Sequence, residues 1–235
     1  MRVGIIGAME EEVKELRSKM TNIESVNKCG ITLYHGTLDG VDVVLLLCGI
    51  GKVAAAVGTT LLIDQYNPDL IINTGSAGGL SSDLNVGDVV ISTDVRYHDV
   101  DVTLFGYEYG QLPKMPAGFT PDAELITLAK TAASKIDNLN ITDGLIITGD
   151  SFIHNPEVVN NIKAKLPPMK ATEMEAAAIA QVCHMSGKKF LIIRSISDVP
   201  GKESKQSFEE FSVVAAKNSG RLVEEILKEI KVSWS

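Results

Sequence analysis

The chain has 235 residues, 45% of them hydrophobic, and a formal net charge of −8. That is enough for one substantial α/β core over 1–235, and lysine and arginine are scattered rather than massed in a stripe, which excludes nucleic-acid phosphates as partners. Cys29, Cys48 and Cys183 are odd in number and lack CxxC spacing, and no apolar run approaches the roughly 20 residues that span a bilayer, so reduced thiols in a cytoplasmic protein are expected.

Residues 2–7 read as a short buried strand, followed by the turn Gly7-Ala8-Met9 and a helix over 10–20 whose Val13, Leu16 and Met20 repeat at spacings of three and four. Glu10, Glu11 and Glu12 crowd its first turn, where negative charge suits the helix dipole. Residues 31–38 and 41–48 flank Asp39-Gly40, a pair that favours positive φ and a tight antiparallel hairpin, so the sheet is mixed. A helix is predicted over 52–66, with buried strands over 69–74 and 87–95. Gly75-Ser76-Ala77-Gly78-Gly79 reads either as a tight turn or as a backbone cradle for a ribose or an anion.

Residues 96–121 break this regularity, with Tyr97, Phe105, Tyr107, Tyr109 and Phe119 interleaved among glycines and prolines. A loop of this length is usually functional; a subunit interface, a lid over a ligand and an excursion packed on its own core all remain open. Helices over 122–136 and 157–165 bracket a strand over 145–149, and a further helix spans 175–185. Phe208, Phe211, Ala215, Leu222, Ile226 and Ile230 then repeat at helical spacing and predict a last helix with that face on the core.

Three acids stand out. Asp198 closes the apolar run that begins at Phe190, Glu175 opens the alanine-rich helix, and Glu12 follows the first strand and turn. Carboxyl ends of parallel strands line the ligand crevice of α/β sheets, so these acids could converge for acid/base chemistry. Glu173 and Glu175 bracket Met174, and in an extended segment their carboxylates would face opposite ways. Both also fit a helix start.

Other motifs carry less. Gly49-Ile-Gly51-Lys-Val-Ala54 matches GxGxxA, but the next strand ends Asn73-Thr74 without the acid that holds a ribose, and the preceding strand belongs to a hairpin. His98, Asp99 and Asp101 lack metal-ligand spacing and read as loop polarity, and there is no GxSxG. Neither cofactor nor metal is expected.

Five separated segments, Gly4-Ile-Ile-Gly-Ala-Met-Glu-Glu-Glu12, Asn73-Thr-Gly-Ser-Ala-Gly-Gly79, Gly149-Asp-Ser-Phe-Ile153, Glu173-Met-Glu-Ala176 and Arg194-Ser-Ile-Ser-Asp198, together resemble the 5′-methylthioadenosine/S-adenosylhomocysteine nucleosidases. The resemblance covers nearly the whole chain and departs from the family mainly over 199–206. It implies a nucleoside phosphorylase-like mixed sheet wrapped by helices, a homodimer, and hydrolysis of the N-glycosidic bond of methylthioadenosine and S-adenosylhomocysteine, with 5′-deoxyadenosine as a further substrate, in methionine salvage.

On this sequence the resemblance implies Glu12 as the base that activates water and Asp198 as the acid at adenine N7. Glu175 and the Met174 backbone would hold the ribose hydroxyls, Phe152 would stack on adenine and the Ile153 backbone would read its edge. Ala8, Ser76, Gly78, Glu173, Arg194 and Ser197 would support the nucleoside. Met9, Ile50 and Phe208, with Val102, Phe105 and Tyr107 from the neighbouring subunit, would enclose the 5′-thio group.

Cleaving an N-glycosidic bond passes through an oxocarbenium-like sugar, so it needs a protonated leaving base and a poised water, and two carboxyl groups can supply both. Asp198 must then be held well above its ordinary pKa near 3.9, which a direct, unshared pair with Arg194 would oppose. No such pair is expected. Phosphorolysis is the rival reaction, but carboxylates in the first loop repel phosphate and can accept water's proton. A nucleoside-binding protein without catalysis would need neither Glu12 nor Asp198.

Overall fold

The computed structural model describes residues 1–200 and 204–233, the side chains of 204–207 excepted. Its first strand, β1 (Arg2–Gly7), is apolar without alternation because both faces of the sheet are covered. Ile6 joins one core and Val3 and Ile5 the other, on opposite faces of the strand. After β1 come α1 (Glu10–Lys19), β2 (Thr21–Lys28), β3 (Ile31–Leu38), β4 (Val41–Leu47), α2 (Lys52–Tyr66) and β5 (Leu70–Gly79). The second half holds β6 (Val89–Tyr97), α3 (Ala123–Ala133), β7 (Ile141–Thr148), α4 (Pro156–Lys163), β8 (Met169–Glu173), α5 (Ala176–Ser186), β9 (Lys189–Asp198) and α6 (Ser204–Ser233).

The sheet is mixed, as the hairpin requires, and runs β2-β3-β4-β1-β5-β8-β7-β6-β9. Pairing of β9 back onto β5 closes the last five strands into a barrel. Asp39 and Gly40 both hold positive φ, at 53° and 82°, in the β3–β4 turn. Side chains of α2 and α5 fill one core, and those of α1, α3 and α6 fill the other. Leu222, Val223, Ile226, Leu227 and Ile230 of α6 are at most 1% exposed, each worth about 1.5–3 kcal/mol of burial.

Several expectations are corrected. β2 was not predicted, because every residue in it is exposed and no apolar alternation marks it; it pairs antiparallel with β3 at the sheet edge. Residues 75–79 are not a turn. β5 continues through them, fully buried, pairing with β9 and, at Gly78 and Gly79, with β8. β8 itself is a five-residue strand that the sequence marked only as an extended segment. Phe211 is 38% exposed, so the core face of α6 runs through Ala215 and Leu222 and not through Phe211. Of the segment that departs from the resemblance, 201–203 and the side chains of 204–206 lie outside the described residues.

Loop 96–121 divides its aromatics. Tyr97 and Phe119 are buried edge to face, and Phe119 bridges to Val95. Leu104 and Phe105, on a short 3₁₀ turn, are 90% and 75% exposed. Part of the loop is therefore core and part is an apolar surface. His98 and Asp99 are not loose loop polarity: His98 is buried with its ring against Gly149, and Asp99 is ion-paired to Lys52. Asp101 remains on the surface and accepts the Thr103 N–H and hydroxyl.

Candidate active site

Glu12 is the third residue of α1, and its carboxylate folds back over the turn that leaves β1. Oε2 accepts the backbone N–H groups of Ala8 at 2.8 Å and Met9 at 3.1 Å, the geometry of a helix-start acid. Its other oxygen accepts the Ser76 N–H at 2.9 Å and hydroxyl at 3.1 Å from β5. Helix-start acid and site acid are thus one residue. Glu10 and Glu11 stay exposed while Glu12 is buried.

The carboxylate of Glu12 approaches β5 because residue 75 is glycine. A Cβ at Gly75 would overlap Arg194 Nη1 and sit 2.6 Å from Glu12 Oε1. Arg194, fully buried on β9, donates through Nη2 to Asn73 Oδ1 at 2.7 Å, to Glu173, and to Glu175 Oε2 at 3.4 Å. The carboxylates of Glu173 and Glu175 therefore converge on one cation instead of facing opposite ways. Glu175 is the cap residue of α5, with φ −130° and ψ −38°, and that break from extended backbone turns its side chain back.

Glu173 is fully engaged, accepting the Thr148 hydroxyl, the N–H groups of Glu175 and Ala176, and Arg194. Glu175 Oε1 accepts the Gly51 N–H at 2.9 Å. Burial first, and the neighbouring Glu173 charge second, push Glu175 up to about 8 against the pull of Arg194.

Asp198 ends β9 at 1% exposure. Its Oδ1 accepts the Ser197 hydroxyl at 2.9 Å, while buried Oδ2 has no hydrogen-bond partner among the described residues. Burial pushes its pKa up to about 6, with the Ser197 hydrogen bond opposing. As the chemistry requires, Arg194 spends its charge elsewhere.

Glu12, Glu175 and Asp198 line one cavity of about 200 Å³. Ala8, Met9, Ile50, Ser76, Phe152, Glu173, Met174, Ser197 and Phe208 complete its wall. Phe152 and Phe208 meet edge to face at 5.8 Å. Gly78 flanks the acid, since a Cβ there would lie 3.4 Å from Asp198 Oδ2. Ile153 packs in the core under α4, and Arg194 stands behind the carboxylates. Val102, Phe105 and Tyr107 lie on loop 96–121 and are not among the cavity-lining residues.

Four contributors were not named as site residues. Asn73 and Thr148 close apolar runs with a polar side chain, a signal that was present; Gly51 and Gly75 lie in the two glycine motifs noted above, but act through a backbone N–H and an absent Cβ on the protein's own carboxylates rather than on a ligand. Gly51, with φ 97°, belongs to the GxGxxA match, and its N–H meets a carboxylate of the protein's own.

A mixed sheet closed into a barrel, with an acid-lined cavity where β1, β5 and β9 end, defines a protein of the phosphorylase superfamily, whose family description matches residues 2–228. The 5′-methylthioadenosine/S-adenosylhomocysteine nucleosidases of Anoxybacillus flavithermus and Bacillus subtilis are 53% and 52% identical, each match covering 98% of this chain and 99% and 100% of theirs. The Neisseria meningitidis nucleosidase in complex with methylthio-immucillin-A superimposes with a TM-score of 0.94 at 48% identity, over 97% of this chain and 98% of that one. The Colwellia psychrerythraea nucleosidase in complex with adenine gives 0.95 at 50% identity, over 97% and 95%. The chain belongs to the 5′-methylthioadenosine/S-adenosylhomocysteine nucleosidase family, and is accordingly an enzyme of the hydrolase class.

Proposed function

We propose that the protein hydrolyses the N-glycosidic bond of 5′-methylthioadenosine and S-adenosylhomocysteine, and of 5′-deoxyadenosine, releasing adenine and the 5-substituted ribose. The observation that carries this reading is the convergence of Glu12, Glu175 and Asp198 on one cavity, with Asp198 Oδ2 buried and unpartnered among the described residues. Asp198 gives a proton to adenine N7 as the C1′–N9 bond breaks. Water adds to C1′ from the opposite face, and Glu12 takes its proton. Each transfer is worth typically 10²–10⁴-fold.

With a pKa of about 6, Asp198 is protonated in roughly one molecule in ten at pH 7. A purine stacked under Phe152 displaces water and raises that fraction further. Glu175 accepts the ribose hydroxyls, whose hydrogen bonds favour its ionised form beside the developing cation. Phosphate is disfavoured as the nucleophile because four acidic residues, Glu12, Glu173, Glu175 and Asp198, line the cavity and, among the described residues, no lysine or arginine does.

The same reading takes 1–235 as one domain, acting in the cytoplasm in methionine salvage. It works as a homodimer in which Val102, Phe105 and Tyr107 close the neighbour's 5′-thio pocket. The exposure of Leu104 and Phe105 supports that interface. No helix among the described residues is long and apolar enough to cross a membrane.

Incubating purified protein with methylthioadenosine, with and without phosphate, tests the reaction. Adenine and free methylthioribose at equal rates in both are expected. Phosphate-dependent release would make it a phosphorylase, and absence of adenine would leave a binding protein.

A further inference from the structure

Asp99 lies outside the cavity, yet its carboxylate ties together segments that form two of its walls. Oδ2 accepts the Lys52 ammonium at 2.6 Å and the backbone N–H of Asp150 at 3.0 Å. Asp150 closes the loop, since its Oδ1 accepts the backbone N–H of Lys52 at 2.8 Å and its Oδ2 is 3.9 Å from Lys52 Nζ. One residue before Lys52, the Gly51 N–H holds Glu175. Two residues after Asp150, Phe152 lines the cavity.

These contacts answer a local defect. Helix α2 starts from Gly51, which has no side chain to cap it, and carries at its first position a lysine that the helix dipole disfavours. Asp150 supplies the missing cap from a distant loop, and Asp99 compensates the lysine. The Lys52 and Asp99 side chains are only 25% and 26% exposed, so solvent screens this pair less than a surface one. Burial raises the Asp99 carboxyl, but the Lys52 and Asp150 hydrogen bonds more than offset it and hold it below the ordinary range. Gly51 and Asp150 are packed face to face: a Cβ at 51 would sit 3.1 Å from Asp150 Oδ1. Movement of one displaces the other.

We propose that Asp99 is a positioning residue for the nucleoside pocket, fixing through Lys52 and Asp150 the spacing between the Gly51 anchor of Glu175 and the ring of Phe152. The assignment rests on the function proposed above. Asp99 touches no reacting atom, and Asp198 is held separately by Ser197. Loss of Asp99 therefore weakens grip on ribose and base while leaving proton donation intact.

The test compares Asp99→Ala, Asp99→Asn, Lys52→Met and the double variant Asp99→Asn/Lys52→Met by kcat, KM for methylthioadenosine and Kd for adenine. Asp99→Ala should raise KM and Kd about tenfold, the size of effects transmitted through such networks, with the pH profile of kcat unchanged. Asp99→Asn should do less because it keeps an oxygen for the Asp150 N–H, and the double variant should lose no more than the worse single one. If Asp99→Ala does not fold, Asp99→Asn and Lys52→Met carry the comparison. Unchanged KM and Kd, a shifted kcat pH profile, or additive losses in the double variant would overturn the assignment. Adenine titration reads the pocket whether or not hydrolysis occurs, so failure of this relay is distinct from failure of the nucleosidase reading.

Discussion

Arg194 is bonded to Glu173 and Glu175, whereas Asp198, four residues along the same strand, accepts only the Ser197 hydroxyl among the described residues. One strand thus delivers a cation to one pair of carboxylates and a carboxyl group left to burial. Burial holds both Glu175 and Asp198 above the ordinary carboxylate range, and Arg194 opposes that rise at Glu175 while the Ser197 hydroxyl opposes it at Asp198.

Replacing Asp198 by Asn should lower kcat by about 10²–10⁴-fold with little change in KM. Because the protonated form of Asp198 declines above a pKa of about 6, wild-type activity should fall on the alkaline side, and the variant should lose that limb. A pH–rate profile of both proteins checks this. Near-normal turnover by the variant would remove Asp198 from the acid role.

Glu175 carries a stability consequence of definite sign. Its pKa is raised from 4.5 to about 8, so the native state holds a proton that the unfolded chain releases, and stability is lost as pH rises through that window. Asp198, raised from 3.8 to about 6, adds the same sign at its lower end. Calorimetry of the ligand-free protein should give a higher Tm near the acid end of this range than near pH 8. Glu175→Gln should flatten the slope; an equal slope in the variant would assign the effect to other groups.

Gly75→Ala should cost both stability and activity. Its Cβ would overlap the Arg194 guanidinium and crowd Glu12, two groups with no room to retreat. Overpacking of this kind costs typically about 1–3 kcal/mol, and displacement of Glu12 should lower kcat more than KM rises. A variant with parental Tm and kcat would show that the strand yields at no cost.

On the proposed homodimer, Leu104→Asp and Phe105→Asp together should give monomers in sedimentation where the wild type gives dimers, and raise KM for methylthioadenosine. The charges would be buried in an apolar contact, a cost of several kcal/mol per unpaired ion. Wild-type protein that sediments as an active monomer would remove loop 96–121 from the pocket.

Much of this molecule is dictated by local chemistry. The Asp39-Gly40 hairpin, the apolar run that ends in Asp198 and the spacing from Ala215 to Ile230 each encode an element through contacts that any such segment would make. β2 was silent because a strand exposed along its length needs no apolar pattern, only a neighbour's open edge. His98 and Asp99 read as loop polarity because burial and ion pairing belong to the partner segments, not to the residues.

Local sequence singles out Glu12, Glu175 and Asp198 as candidates, since each marks the place where a strand or a turn gives way to the next element. Long-range packing sets what surrounds each carboxyl: Ser76 anchors Glu12, the Gly51 N–H and Arg194 meet Glu175, and burial beside the Ser197 hydroxyl surrounds Asp198. A pKa is set by charges and burial within a few ångströms, and in this fold those neighbours arrive from β5, β9 and the turn before α2, far away along the chain.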